Sequence, residues 1–362
     1  MSVTELFDKA AAGKRVDSVT IRRPDDFHVH LRDGAMLKAV LPFTAGQFAR
    51  GVIMPNLVPP VTSVAMATAY RERILTARPE GSDFEPLMTC YLTDATAPDE
   101  IEEGFAERVW VAAKLYPAGA TTNAHYGVTD IPGLAPVLER MAKIGMPVLI
   151  HGEATDPAVD IFDREAVFME QSLLPLLKRH PGLKVVIEHV TTAETVDIVR
   201  AHASRAAGTI TPHHLVINRT SIFQGGLRPH LYCLPVAKRE RHRLALRKAV
   251  TSGERCFFIG TDTAPHRRTA KEAECCSAGI FGGATALQTY VQVFDEEGAL
   301  DRFEAFASVN GAQFYCLPLN RGTVALQRRE TPILAAVEVE DTEVIVFQGG
   351  ETLPWSVGEV RP

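Results

Sequence analysis

The chain has 362 residues, 46% hydrophobic and 23% charged, with a formal net charge of −6. That composition supplies enough apolar mass for a large core, and the positive residues are too dispersed to form a nucleic-acid surface. No run approaches 18 consecutive apolar residues, and Glu5 and Asp8 interrupt the start of the chain, so neither a membrane span nor an export signal is expected. The six cysteines (Cys90, Cys233, Cys256, Cys275, Cys276 and Cys316) form no CxxC pair, which suits reduced thiols in a cytoplasmic protein.

In chain order, short apolar runs predict strands at Phe27–Leu31, Gly51–Met54, Leu87–Leu92, Trp110–Tyr116, Pro147–His151, Lys184–His189, Gly208–Thr211 and Cys256–Thr261. Helical patterns separate most of them, at Ala65–Arg78, Leu134–Ile144, Asp163–Arg179, Thr192–His202 and Arg239–Ser252. Alternation of eight strands with helices reads as an α/β protein, a (β/α)8 barrel of the TIM type. A doubly wound sheet is the alternative, but no GxGxxG follows the first strand and no GxxxxGK occurs. A helical region near Phe303–Phe314 and a polar, strand-like tail, Ile333–Phe347, follow the barrel. The expected organisation is an N-terminal extension, 1–20, and one barrel domain with its short tail, 21–362.

The polar residues at the strand ends carry the chemistry. His28, His30 and Arg32 alternate along the end of the first strand and so share a face. Lys114 lies near the end of the fourth, His151 closes the fifth, His189 the sixth and Asp262 the eighth. Any one of these could be a satisfied, half-buried polar residue. Six of them at the C-terminal ends of five strands mark the face where barrel active sites form. Four histidines and an aspartate suit Zn²⁺ and are too many for one open catalytic ion, so two ions are expected. An ammonium at Lys114 beside two dications is repelled, so the lysine is either deprotonated or converted to an anion.

The segments Arg22–Gly34, Met54–Leu57, Met88–Asp94, Ala113–Ala118, Arg228–Pro235 and Gly260–His266 resemble bacterial dihydroorotase of the short, single-domain type, within the amidohydrolase superfamily. The similarity runs from about Ile21 to Val357. It implies reversible closure of N-carbamoyl-L-aspartate to L-dihydroorotate with loss of water, in de novo pyrimidine (UMP) biosynthesis. It places His28, His30 and Asp262 on one zinc, and His151 and His189 on a second. Lys114, as an N6-carboxylysine formed with CO2, bridges the two. Asp262 serves as catalytic acid and base. Arg32, Asn56 and His266 take the substrate carboxylate, the backbone at Leu234 and Ala278 holds the ureide edge, and Thr121 and Thr122 sit on a lid spanning 118–127. The same resemblance suggests a homodimer acting on a small molecule, without nucleic-acid or membrane partners. It gives His213 and His214 no ligand role, and they are read as structural. Two rivals are a hydantoinase, whose neutral ring offers Arg32 and His266 nothing to bind, and a non-catalytic scaffold, in which metal ligands would be missing.

Overall fold

The computed structural model describes residues Val16–Arg361. Strand β1 (Ser18–Arg22) stands outside the barrel. The barrel is β2 (Asp25–Val29), β3 (Arg50–Ile53), β4 (Glu85–Tyr91), β5 (Trp110–Leu115), β6 (Val148–Ile150), β7 (Val185–Ile187), β8 (Ala206–Ile210) and β9 (Phe257–Ile259), all parallel and paired in chain order. The eight-stranded architecture expected from the alternation is therefore observed. First and last strands meet through Asp262 N–H donating to His28 O and His30 N–H donating to Thr263 O, both 2.9 Å. The seam thus closes among the residues of the predicted site.

Side-chain alternation explains how the interior is layered. Phe27, Val52, Leu87, Ala112, Leu149, Val186, Ala207 and Phe258 form one buried cluster inside the barrel. Their outward neighbours, such as Ala113, Val148, Val185 and Ile259, join the larger cluster between sheet and helices. Two positions beyond the inner apolar layer the same face carries Thr89, Lys114, His151, Glu188 and Thr209, all buried. The polar layer is the floor of the site and the apolar layer is its foundation. In β2 a register shift between Asp26 and Val29 lets Phe27 join the inner cluster while His28 also turns inward.

Helix bounds agree with expectation to within a residue or two at Val64–Ala77, Ala135–Ile144, Ala193–Ala201 and Glu240–Val250. The predicted single helix Asp163–Arg179 is broken into Arg164–Phe168, a π-helical turn Met169–Leu173 and Leu174–Arg179. The helical region expected near Phe303–Phe314 and the strand-like tail expected at Ile333–Phe347 are both observed, and longer strands not expected from the sequence flank the tail. β1 pairs with β10 (Thr323–Pro332), which pairs with β13 (Thr352–Arg361) in an antiparallel sheet, and β11 (Ala336–Val339) and β12 (Thr342–Ile345) form a separate hairpin. The anticipated boundary between 20 and 21 cuts through β1, and residues 1–15 of the anticipated extension lie outside the described residues. The alternation in these strands is short, Val324 and Leu326 in β10 and Leu353, Trp355 and Val357 in β13, and polar or charged residues take up the rest of each.

At the opposite end of the barrel, Arg50 pairs bidentately with Asp25 (Nε–Oδ1 2.9 Å, NH2–Oδ2 2.6 Å) and donates to Pro318 O, while Asn320 donates to Asp25. Both members of the pair are buried. Arg50→Met leaves the carboxylate buried with one partner, and the expected cost is about 3–5 kcal/mol of stability. Thermal unfolding reads the loss; the folded fraction should keep wild-type KM, because the pair lies far from the mouth.

Candidate active site

The six residues expected to bind metal converge at the C-terminal mouth of the barrel. His28 Nδ1 lies 3.0 Å from Glu188 Oε1, and His30 Nδ1 lies 2.8 Å from Asn56 Oδ1. The hydrogen bond to Asn56 makes Nδ1 the protonated atom of His30 and leaves a lone pair on its Nε2, and the carboxylate beside His28 Nδ1 favours the same tautomer there. The two Nε2 atoms then stand 3.2 Å apart, and Asp262 Oδ1 is 3.3 Å from one and 3.2 Å from the other. Three electron-rich atoms facing one another at this spacing repel unless a cation sits between them. Ligands held at about 2.0–2.2 Å from a tetrahedral ion have this mutual separation. The residues fit a metal ion.

The second half of the cluster is built similarly. His151 gives its Nε2 to Glu153 Oε2 at 2.8 Å, leaving Nδ1 for a metal. His189 has a fully buried Nδ1 with no hydrogen-bond partner, and its ring packs 4.8 Å from that of His151 and 5.1 Å from that of His28, centroid to centroid. Burial lowers the pKa of all four imidazoles, so each ring is neutral and able to donate a lone pair.

Lys114 is wholly buried among these groups, in contact with the Glu188 carboxylate and with its Nζ 4.7 Å from the Tyr116 ring centroid. Burial pushes its pKa well below the usual lysine value. Glu188 is the residue that sequence reasoning missed. Its signal was available: it lies two positions beyond inward Val186, as Lys114 does beyond Ala112 and His151 beyond Leu149. Three site residues take left-handed backbone conformations that non-glycine residues avoid, Arg32 at φ 59°, His189 at φ 44° and Asp262 at φ 45°. These turns aim the side chains into the mouth where regular strand would not, and such strain is tolerated at functional positions.

Above these six residues is a small cavity lined by Arg32, Asn56, Tyr116, Leu234, Asp262 and Ala278, with Thr121 and Thr122 as its roof. Arg32 makes no ion pair among the described residues. It donates from Nε to Pro265 O at 3.2 Å and places NH2 3.2 Å from His266 Nε2. Burial and the neighbouring guanidinium push the pKa of His266 down to about 2, so it stays neutral. Asn56 is more heavily committed than expected. Besides holding His30, it donates from Nδ2 to Thr122 O at 3.1 Å, and its own carbonyl accepts from Asn123 Nδ2 at 3.0 Å. Thr122 Oγ1 donates to Ala278 O at 3.2 Å. The 118–127 loop is thereby folded down over the pocket, leaving about 20 Å³, room for a single water. A larger groove of about 500 Å³, between Ile217, Arg228 and Phe347, contains none of these residues. His213 and His214 approach Cys233 in a separate buried group. His214 is fully engaged there, with Thr211 Oγ1 at 2.8 Å and Pro235 O at 3.0 Å.

Fold and site together define a hydrolase of the amidohydrolase class, and the amidohydrolase family pattern matches residues 25–329. A dihydroorotase of Novosphingobium aromaticivorans is 57% identical over 341 residues, covering 94% of this chain and 99% of the relative. The solved dihydroorotase of Campylobacter jejuni superposes with a TM-score of 0.87 at 33% identity, covering 94% of this chain and 98% of that one. The dihydroorotase of Saccharomyces cerevisiae in complex with 5-fluoroorotic acid gives 0.88 at 31%, covering 96% and 100%. The chain belongs to the dihydroorotase family and is a cyclic amide hydrolase.

Proposed function

We propose that the chain is a two-zinc dihydroorotase that interconverts N-carbamoyl-L-aspartate and L-dihydroorotate plus water, in the cytoplasm, as a homodimer serving de novo pyrimidine (UMP) biosynthesis. The observation that carries this reading is the pairing of a lone-pair cluster (His28, His30 and Asp262) with an arginine that has no carboxylate of its own. The first calls for a cation and the second for an anionic substrate.

His28, His30 and Asp262 would hold one zinc, and His151 and His189 the other. Lys114 would lie between them as a carbamate, its amine lone pair having added to the carbon of CO2 with loss of a proton. A carbamate turns a buried cation into an anion with two oxygens, which suits the imidazoles around it and would leave the Glu188 carboxylate to His28 Nδ1. Bound zinc supplies a water of lowered pKa and polarises the carbonyl under attack. In the hydrolytic direction Asp262 takes the proton of the attacking water and passes it to the ring nitrogen as the C–N bond breaks. In synthesis the ureido nitrogen attacks the carboxyl carbon, Asp262 carries the proton the other way and water leaves. Arg32 grips the carboxylate that does not react, with His266 and Asn56 beside it. The backbone at Leu234 and Ala278 holds the opposite edge, and Thr121 and Thr122 close over the ring. A hydantoin would leave the Arg32 charge buried without an anion, which argues against a hydantoinase.

Elemental analysis alongside a dihydroorotate hydrolysis assay tests this directly. About two zinc ions per chain are expected, with His189→Ala reduced to one and devoid of turnover. Full activity in metal-free protein would sink the proposal.

A further inference from the structure

Lys271 is an unusual lysine. It ends a single-turn helix, Arg268–Lys271, and is only 3% exposed, yet it has no carboxylate partner. Its Nζ instead donates to three carbonyls, Tyr232 O and Ser277 O at 2.8 Å and Gly279 O at 2.9 Å. An ammonium has three N–H groups, so the three carbonyls satisfy it completely. Stripping a cation of water is costly, and here burial pushes the pKa of Lys271 down to about 8. An apolar residue in the same space would leave three carbonyls without this donor, so the ammonium's task is to hold together the segments that carry them.

The position of the three carbonyls identifies the task. Tyr232 precedes the segment carrying Leu234, while Ser277 and Gly279 flank Ala278, and Leu234, Ala278 and Gly279 all line the small cavity at the barrel mouth. The two segments are about 45 positions apart in sequence and lie in no common strand. A direct link joins them, Gly279 N–H to Tyr232 O at 3.1 Å. Gly279 leaves little slack, since its φ is +150° and a Cβ there would come within 2.8 Å of the His266 ring.

We propose that Lys271 is a positioning residue for substrate binding, its ammonium fixing the segment around Leu234 to the segment around Ala278 so that their backbone groups meet the ring at a set separation. This rests on the reading that those two backbones hold the substrate. Without the ammonium, Ser277 O and Gly279 O lose their shared donor and the two walls drift relative to each other. Zinc binding and Asp262 are untouched, so the loss falls on binding rather than on chemistry.

Lys271→Met keeps the length of the stem and deletes all three donors. The expected result is a KM for dihydroorotate raised roughly 10- to 100-fold with kcat within about threefold of wild type, the scale of a displacement of about 1 Å in a binding wall. Two zinc ions per chain should remain, and amide hydrogen exchange should accelerate in 232–235 and 277–280 but not in the barrel strands. Lys271→Arg keeps the charge but its planar fork cannot aim three N–H groups at three converging carbonyls, so KM should rise by about three- to tenfold. That variant carries the test if Lys271→Met does not fold. Wild-type KM in the folded variants, with only the melting temperature lowered, would overturn the proposal. Wild type and Arg32→Met are measured in parallel. If Arg32→Met loses affinity while the Lys271 variants do not, the function stands and the role of Lys271 fails; if wild type does not turn over dihydroorotate, both fail.

Discussion

Lys114→Ala should be inactive, with kcat/KM for dihydroorotate lowered by about 10³-fold or more, the scale of losing a whole catalytic group. The side chain lies at zero exposure in the middle of the imidazole cluster, in contact with the equally buried Glu188 carboxylate. Its removal should also lower zinc content below two per chain, because the carbamate oxygens complete both ligand sets in the proposed centre. The cavity left behind is large enough to admit a small carboxylic acid, so acetate or propionate should restore part of the activity. Metal-stripped wild type should regain activity faster when bicarbonate is added with zinc, and bicarbonate should do nothing for the alanine variant. Because the substitution also removes a fully buried side chain that touches Glu188, the melting temperature is measured beside activity to separate misfolding from lost chemistry. The carbamate is refuted by an unmodified amine at Lys114 in active protein that holds both zinc ions.

The second large effect concerns the substrate carboxylate. Arg32→Met keeps the bulk of the stem and removes the fork, so both zinc ions should remain. Deleting one partner of a buried, charge-assisted pair typically costs on the order of 2–5 kcal/mol, because the other charge is left desolvated and alone. That corresponds to roughly 30-fold to several-thousand-fold in kcat/KM for dihydroorotate, at about 1.4 kcal/mol per tenfold. Dihydrouracil has the same ring without the carboxylate and should be a very poor substrate of the wild type. It never used the arginine, so the substitution should change its rate far less. Equal slowing of both rings would make Arg32 a structural residue and remove the basis for reading this site as specific for an acidic substrate.

Much of this architecture was legible before any coordinates. Buried parallel strands are short apolar runs, and their ends are marked by polar residues that an apolar interior would otherwise reject, so Lys114, His151 and Asp262 announced themselves. Glu188 did not, because it sits next to His189 and the histidine took the attention; only the inward alternation from Val186 separates their roles. The commitments of Asn56 to His30 and to the lid depend on contacts between segments 26 and 66 positions apart, which no local pattern encodes. The sheet of β1, β10 and β13 was lost for another reason: its apolar alternation lasts only two or three residues in each strand, Val19 and Ile21, Val324 and Leu326, and Leu353, Trp355 and Val357, too short to stand out beside the barrel strands.

The barrel seam has a consequence for the life of the chain. His28 O is held by Thr261 and Asp262, and the partners in the Thr261 bond are 233 positions apart. During synthesis at about 5–20 residues per second, the histidines of the first strand therefore wait on the order of ten seconds or more for the strand that completes their ligand set. Until it arrives the nascent barrel has an open edge at β2 and only two of the three donors for one ion. In the proposed centre the first-strand histidines would gain their third donor only with ring closure, so a chain cut before β9 would carry five of the six expected ligand residues and lack Asp262, the proposed acid and base.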